Sequence, residues 1–191
     1  MPRRSGFKSG AKLFKGSSHK LLSEVNLTSE RCFRPMKKAF LFLLSHGIVG
    51  LLGFALGIYL LPVLTSPAAP LETKIQALQD QATFSAKFVR SLDGSDLFHW
   101  GEGDVFIGAR GVALRGEIAP GPDYRVYLSP KFVENEAQVL AVKDQMIQVG
   151  EVKTFENFVV DFPEGINVAD YNTVLVWCEA FSEFITAAKY R

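Results

Sequence analysis

The sequence contains two cysteines, and their positions decide which sulfur chemistry the chain can perform. Cys32 precedes a long apolar run and Cys178 lies far beyond it. If that run crosses a membrane, the two thiols lie on opposite sides and cannot form an intramolecular disulfide. Cys178 would then be an unpaired thiol in an oxidising compartment, which is unusual and marks it as the first candidate for chemistry. The alternative is that Cys178 is a small buried hydrophobic residue that does not react.

Other side chains suited to chemistry are few. His99 is the one histidine after the apolar run, so this part of the chain alone cannot supply the His and Cys ligands of a blue-copper site. Asp123 lies in a Pro-Gly-Pro-Asp turn, where its carboxylate can accept backbone N–H bonds. Trp177 is the residue directly before Cys178. We take His99, Asp123 and Trp177 as the candidates to support Cys178. The sequence has no CxxC or CxxCH motif, no Ser-His-acid set and no phosphate loop, so it encodes no recognisable catalytic constellation, metal site or cofactor motif.

The element that sets the topology is the apolar run at 39–64. It contains no Asp, Glu, Lys or Arg, and at about 1.5 Å per residue it would form a helix of roughly 39 Å, enough to cross a bilayer. We therefore predict a transmembrane helix at 39–64. A cleaved secretory signal is the alternative, because Lys37 and Lys38 before an apolar run also begin such signals. The run is about twice the length of a signal core, which favours an uncleaved anchor.

Charge is distributed unevenly around this run. Residues 1–38 carry ten basic and two acidic side chains, a net charge of +8, whereas the remaining residues carry 11 basic and 18 acidic side chains, a net charge of −7. The positive-inside rule then predicts a single-pass protein of the inner membrane with a cytoplasmic N-terminus and a periplasmic or extracellular C-terminal domain. The Ser- and Gly-containing segment 1–38 is expected to be a disordered cytoplasmic tail. Met36 is an alternative start.

Partners can be predicted in outline, and the membrane is the first of them. The basic residues of the tail are not interleaved with aromatic residues, so we expect no nucleic-acid binding. Gly53 and Gly57 form a small-xxx-small pattern that would allow close helix approach in a homodimer. A single thiol cannot complete a two-electron disulfide cycle alone, so a redox role for Cys178 requires a partner protein, a small thiol or a second copy of the chain.

Beyond the run, the pattern of the sequence changes twice. Residues 65–82 contain two prolines and then apolar residues at helical spacing, which predicts a linker and a short stalk helix. Residues 83–191 consist of short apolar runs separated by Gly and Pro, which predicts an all-β domain, a β-sandwich or flattened barrel of about eight short strands. The predicted strands are 84–91, 97–107, 112–118, 124–129, 146–152, 157–162, 173–179 and 183–189.

Two details of the β domain can be predicted more closely. In the strand at 173–179, alternation places Cys178 on one face and Trp177 on the other. Both faces are apolar, which is typical of a central strand. Residues 166–171 are expected to form a helical turn capped by Asn167.

Three runs in this domain resemble one protein family. They are HWGEG at 99–103, GPDYRVYLS at 121–129 and YNTVLVWCEAFS at 171–182. In their order and spacing they are similar to the DM-thirteen domain, called the electron-transfer DM domain, in its membrane-anchored bacterial type. The resemblance extends over residues 83–191. It implies a β-sandwich-like domain with a redox role centred on one family cysteine, which falls on Cys178.

Taken together, these observations predict a membrane-tethered extracytoplasmic domain with an electron-transfer or thiol-redox role centred on Cys178. The alternative is a non-redox β-sandwich adaptor that binds an envelope partner, with Cys178 buried in its core. Exposed aromatic residues near the loop at His99 would form its surface, although we expect most of them to pack in the core or in turns. These residues are Phe98, Trp100, Phe106, Tyr124 and Tyr127.

Overall fold

The N-terminal element is a helix, α1 (Ser18–Thr65), in a computed structural model that describes residues 18–191, with side chains from residue 36 onward. Within its stretch Met36–Thr65, an 18-residue window has a mean hydropathy of 2.2, and the stretch is long and apolar enough to cross a membrane. Residues 18–38 are helical where the sequence analysis predicts a disordered tail. Apart from Pro35, this segment consists of residues that a helix tolerates, so the helix extends N-terminally from the apolar run. Residues 1–17 of the predicted tail lie outside the described residues.

The chain divides into two units, Met1–Gly53 and Phe54–Arg191. The second unit contains the last turns of α1, a stalk helix and a β domain. The β domain has eight strands in two four-stranded antiparallel sheets, which confirms the predicted β-sandwich. The strands are β1 (Ala82–Phe88), β2 (Gly101–Gly108), β3 (Gly111–Ile118), β4 (Tyr124–Ser129), β5 (Ile147–Val152), β6 (Glu156–Asp161), β7 (Thr173–Cys178) and β8 (Glu183–Lys189).

The order of strands is β1-β2-β3-β6 in the first sheet and β5-β4-β7-β8 in the second. All six residues of β7 are buried, as predicted for a central strand. One face of β7 packs into the core between the sheets, and the opposite face packs under a short helix, α3 (Glu136–Val142). The sequence analysis did not predict α3, although Asn135 caps it by accepting a hydrogen bond from the backbone N–H of Gln138 at 3.0 Å.

The stalk helix, α2 (Glu72–Asp80), lies on the outer face of the first sheet. Ile75 is fully buried there in a cluster with Phe106 and Ala113. Arg115 on β3 donates to the Glu72 carboxylate at 2.6 Å and to the side-chain amide oxygen of Gln79 at 2.7 Å. Apolar contact and hydrogen bonds therefore hold α2 against the sheet.

The predicted turn capped by Asn167 is confirmed. A single 3₁₀ turn covers Val168–Asp170, and the Asn167 side chain accepts a hydrogen bond from the backbone N–H of Ala169 at 3.2 Å. The turn brings the chain into β7, the strand that ends at Cys178.

Candidate functional site

Cys178 is the last residue of β7. It is paired with Tyr124 on β4 and with Glu183 on β8, and only 2% of the residue is exposed. Because side chains alternate along a strand, Cys178 faces the core between the sheets together with Val174 and Val176. The cysteine that the sequence analysis identifies is thus a free thiol in the core, at the end of its strand.

Burial is the main influence on this thiol. It raises the pKa of Cys178 above its ordinary value, because a thiolate is poorly solvated inside the domain. The backbone N–H groups of Phe181, Asp123 and Ala180 act in the opposite direction, since they donate hydrogen bonds to the charged form. At neutral pH the group is therefore a protonated thiol, and its backbone surroundings stabilise a thiolate when one forms.

A cavity of about 380 Å³ lies beside Cys178. Four parts of the chain form its wall: the last turns of α1, the loop before β2, the turn before β4 and the hairpin between β7 and β8. Most of the lining residues are apolar or aromatic, and few are polar, as is usual in sites for small molecules. The lining residues are Ala55, Ile58, Tyr59, Phe98, His99, Pro120, Gly121, Pro122, Tyr124, Cys178, Phe181, Glu183 and Ile185.

His99 lies in the cavity wall and is held by Asp96. The Asp96 carboxylate accepts hydrogen bonds from the backbone N–H groups of Phe98 and His99 at 2.7 and 2.8 Å. Its second oxygen lies 2.9 Å from Nδ1 of the His99 ring. The hydrogen bond with the His99 side chain lowers the pKa of Asp96 despite opposing desolvation. This contact occupies Nδ1 and leaves Nε2 as the second polar atom of the ring.

Tyr124 brings a hydroxyl group to the same wall. Only 3% of the residue is exposed, and its ring packs edge-on against Phe155 with 6.0 Å between the centroids. The hydroxyl lies so close to Gly121 that a Cβ at that position would be 2.3 Å from the tyrosine oxygen. Burial raises the pKa of Tyr124, so the hydroxyl keeps its proton. It makes no hydrogen bond to another residue in the described part of the chain and is therefore a free donor at the cavity.

Trp177 does not line this cavity. It is fully buried on the opposite face of β7, in the cluster beneath α3. Lys143 Nζ lies 4.6 Å from the centroid of its ring and 3.0 Å from both carboxylate oxygens of Glu179. Tyr127 donates its hydroxyl to the same carboxylate. Trp177 is thus adjacent to Cys178 in sequence but belongs to a separate polar and aromatic cluster.

Asp123 is near the site through its backbone. Its carbonyl oxygen accepts a hydrogen bond from the backbone N–H of Glu179 at 2.9 Å, which joins the turn before β4 to the end of β7. Its carboxylate pairs with Arg125 Nη2 at 2.7 Å, whereas turn chemistry suggested a bond to local backbone. The residue therefore helps to position the strand ends around Cys178, and its side chain is engaged elsewhere.

Of the three supporting residues that the sequence analysis identifies, His99 shares the cavity wall with Cys178, Asp123 contacts the site through its backbone, and Trp177 faces away. From the sequence, Tyr124 was expected only in an adaptor surface, and Asp96 was not expected at the site. The sequence did offer a signal for Asp96. An Asp carboxylate can accept hydrogen bonds from backbone N–H groups two or three residues later and so close a turn, which brings His99 close to Asp96. Within the described residues, no three His, Cys, Asp or Glu side chains converge to hold a metal ion.

Comparison with known proteins gives one match. A family described as Electron transfer DM13 matches residues 88–190, which include every strand after β1 and all of the cavity wall outside α1. No curated protein matches the chain, and no solved structure does.

Proposed function

The chain belongs to the Electron transfer DM13 family, and from this premise we propose that it is a membrane-tethered redox domain with Cys178 as its reactive centre. The family assignment itself supports a redox-related role. The membrane tether and the choice of Cys178 rest on the separate arguments that follow.

The tether is supported by the length and charge of the N-terminal region. Met36–Thr65 comprises 30 residues without buried side chains, and as a helix it would extend about 45 Å, more than the roughly 30 Å of a bilayer core. Lys37 and Lys38 lie at its beginning. A cytoplasmic N-terminus at the inner membrane and a β domain on the opposite side are therefore the arrangement we propose.

The observation that carries the choice of Cys178 is its place in the wall of the 380 Å³ cavity, in spite of its exposure of only 2%. A cysteine enclosed on all sides could be approached only after unfolding. Here a small molecule that enters the cavity would reach the thiol, and His99 and Tyr124 would be within the same space. The cavity thus offers access to a thiol that strand packing otherwise covers.

The reaction that suits this thiol is exchange with a disulfide. Cys178 loses its proton, and the thiolate attacks one sulfur of the disulfide of a partner protein or small molecule. A mixed disulfide forms, the partner's S–S bond breaks, and the second sulfur leaves as a thiolate that takes up the proton. The backbone N–H groups of Phe181 and Ala180 would stabilise the attacking thiolate. The raised pKa of Cys178 makes this step slow at neutral pH and faster in alkali.

Oxidised glutathione provides a direct test. The full chain in detergent, with Cys32→Ser so that one cysteine remains, is incubated with the disulfide while native and while unfolded in urea. We expect intact mass to show one glutathione per native chain, added faster as the pH rises toward the raised pKa. The matched control, with both Cys32→Ser and Cys178→Ser, should acquire none. Formation of the adduct only after unfolding would contradict the proposal.

A non-redox adaptor is the second candidate, and one observation favours it. Leu97, Phe98 and Phe181 are 80%, 55% and 55% exposed, which is unusual for large apolar residues. Of the aromatic residues that the sequence analysis considered for such a surface, Phe98 is exposed and Trp100 is half-buried beneath the guanidinium group of Arg90, at 3.3 Å from its ring centroid. Phe106, Tyr124 and Tyr127 are buried, as expected for most of these residues, so that surface is limited to Phe98 and part of Trp100.

Partner capture distinguishes the two candidates. An adaptor would lose its envelope partner when Trp100→Ala is introduced and keep it when Cys178→Ser is introduced. A thiol-redox domain would show the opposite pattern, because a mixed disulfide requires Cys178. Homodimerisation through Gly53 and Gly57 stays a prediction. Among the described residues, nothing lies within 4 Å of a Cβ placed at either glycine.

A further inference from the structure

The cavity beside Cys178 lies where the apolar helix would leave the bilayer. A helix needs about 20 residues to cross the hydrocarbon core, and counted from Ala39, the first residue after Lys38, this length reaches Ile58. Tyr59 then falls at the membrane–water interface, where tyrosine is enriched. Ile58 and Tyr59 both line the cavity. The argument rests on the membrane tether of the proposed function and is independent of the thiol chemistry.

The exposed apolar residues of the β domain support this position. The ring of Phe98 packs edge-on against Tyr59, with 6.1 Å between the centroids. Leu97 lies in the same loop as Phe98, and Phe181 lines the cavity from the β7–β8 hairpin. Beside a bilayer, these exposed side chains would lie in the interfacial region, where their apolar surface is removed from water. A molecule dissolved in the membrane could therefore enter the cavity directly.

The polar groups of the wall indicate what kind of molecule would enter. Tyr124 contributes a hydroxyl donor at the cavity surface with no hydrogen-bond partner in the described part of the chain, and His99 contributes Nε2. An acyl chain would satisfy neither group and would cover the Tyr124 hydroxyl without pairing it, which is costly. A lipid phosphate is disfavoured because, among the residues that the structure describes, no Lys or Arg lines the cavity, whereas Glu183 does. The wall fits a flat apolar ring that carries oxygen atoms.

We propose that this cavity binds the ring of a lipid-soluble quinone from the membrane. Tyr124 donates a hydrogen bond to one ring oxygen of the quinone. His99 Nε2 accepts from a hydroxyl group when the quinol is bound, or donates when its ring is protonated opposite Asp96. The aromatic rings of Tyr59 and Phe98 form an apolar wall for the ligand ring, and the tail of the quinone remains in the lipid.

The size of the cavity agrees with this ligand. Sites for small molecules usually enclose about 300–1,000 Å³, and this one encloses about 380 Å³, enough for a single ring with its substituents and too small for the tail as well.

The test is a titration of the full chain in phosphatidylcholine nanodiscs with decylubiquinone, followed by the quenching of tryptophan fluorescence. We expect quenching to saturate at one quinone per chain. Tyr124→Phe should weaken binding about five- to tenfold, because one hydrogen bond is lost. Tyr127→Phe is the matched control, since it removes the same atom on the opposite face of the second sheet, and it should bind as the parent chain does. Decylbenzene, which has the tail without ring oxygens, should not compete.

Three results would overturn the quinone site: quenching that does not saturate, equal binding by Tyr124→Phe and the parent chain, or equal competition by decylbenzene, which would identify a site for apolar chains in general. A second variant, Ala55→Leu, places bulk in the cavity without removing a polar group or adding a tryptophan, and unchanged binding by this variant would also contradict the proposal. The glutathione reaction of Cys178, measured on the same preparation, reports on the thiol chemistry separately. Extraction of the chain from membranes by alkaline carbonate would show that the tether is wrong, and it would remove the quinone site with it.

Discussion

Cys178 and Tyr124 lie opposite each other on β7 and β4, and both side chains face the core between the sheets. Burial raises the pKa of each group, and a negative charge on Cys178 would raise that of Tyr124 further. The thiol and the phenol are therefore both neutral in the folded protein at neutral pH. Their neutrality is compatible with a cavity that receives an uncharged ligand, and it links the site to the stability of the sandwich.

The free energy of unfolding should fall in alkaline solution. Cys178 has an ordinary pKa of 9.0, and Tyr190, whose pKa burial raises to about 12, has an ordinary value of 10.0. A group with a raised pKa in the folded state stabilises the fold fully below its ordinary pKa and loses that contribution as the pH rises toward the folded value. Urea denaturation from about pH 8 to about pH 11 should therefore show a decline that begins near pH 9 and steepens above pH 10.

The variant Cys178→Ala separates the thiol from the tyrosines. Without the thiol, the decline should begin only near the ordinary tyrosine value of 10.0. An unchanged profile in Cys178→Ala would show that the thiol ionises as readily in the folded chain as in the unfolded chain, and burial would then not control its reactivity.

Much of the fold could be predicted because short apolar runs mark the strands and Gly and Pro residues mark the turns between them. The strands β4 and β8 begin and end where predicted, since PGPD and the turn before Glu183 mark their starts clearly. β2 begins later than predicted, at Gly101, because the Asp96 carboxylate closes a turn that uses residues expected in the strand. Helix α3 was missed because it is a short segment of seven residues, below the length at which a helical period is distinct.

The candidate site could be predicted only in part. Cys178 and His99 stand out by residue type, because each is rare in this chain. Their shared cavity depends on the pairing of β7 with β4 and on the return of the loop at Phe98 toward Tyr59, and no local pattern encodes such contacts. Tyr124 looked like an ordinary strand residue, since nothing in the sequence shows that its hydroxyl ends beside Gly121 without a partner.

The cluster around Glu179 should contribute to stability. Burial opposes ionisation of Glu179, but hydrogen bonds from Tyr127 and Lys143 outweigh it and lower the pKa of the carboxyl group. Glu179→Gln keeps the shape and removes the charge, so it should cost about 1–3 kcal/mol of unfolding free energy at neutral pH. The contribution is present above the ordinary pKa and is lost as the pH falls through the folded value, so parent and variant should converge in acid. Urea denaturation of the parent chain and the variant, at neutral pH and in acid, measures both free energies of unfolding.

Glu164→Gln is the matched control for this substitution. Glu164 is exposed in the loop after β6, so the same change there should alter the free energy of unfolding by less than about 0.5 kcal/mol. Equal effects at the two positions would mean that the hydrogen bonds around Glu179 contribute nothing beyond surface charge.

Gly103 should tolerate no larger residue, because two constraints meet at it. Its φ is +135°, and a Cβ would lie 2.4 Å from the backbone oxygen of Arg115 on the paired strand. Gly165 also has a positive φ, +85°, but a Cβ there would meet nothing within 4 Å. We expect Gly103→Ala to cost more than about 3 kcal/mol and Gly165→Ala only about 1 kcal/mol. Gly103→Ala introduces both a steric clash and backbone strain, whereas Gly165→Ala introduces backbone strain alone, so chemical denaturation of the two variants separates these effects. Equal losses of unfolding free energy would show that β2 and β3 move apart freely.

The attachment of α2 should depend on Ile75. This side chain is fully buried against the first sheet, so Ile75→Ala removes apolar contact worth about 2–5 kcal/mol. Because α2 precedes the β domain and packs on the outside of its first sheet, we expect the loss to appear first as faster amide exchange in Glu72–Asp80, with less change in the sheets. Leu140→Ala on α3 is the control, since Leu140 is 52% exposed and the same type of truncation should have little effect. Faster exchange throughout β1–β3 in Ile75→Ala would instead mean that α2 and the first sheet unfold as one unit, and that the stalk is part of the domain's cooperative core.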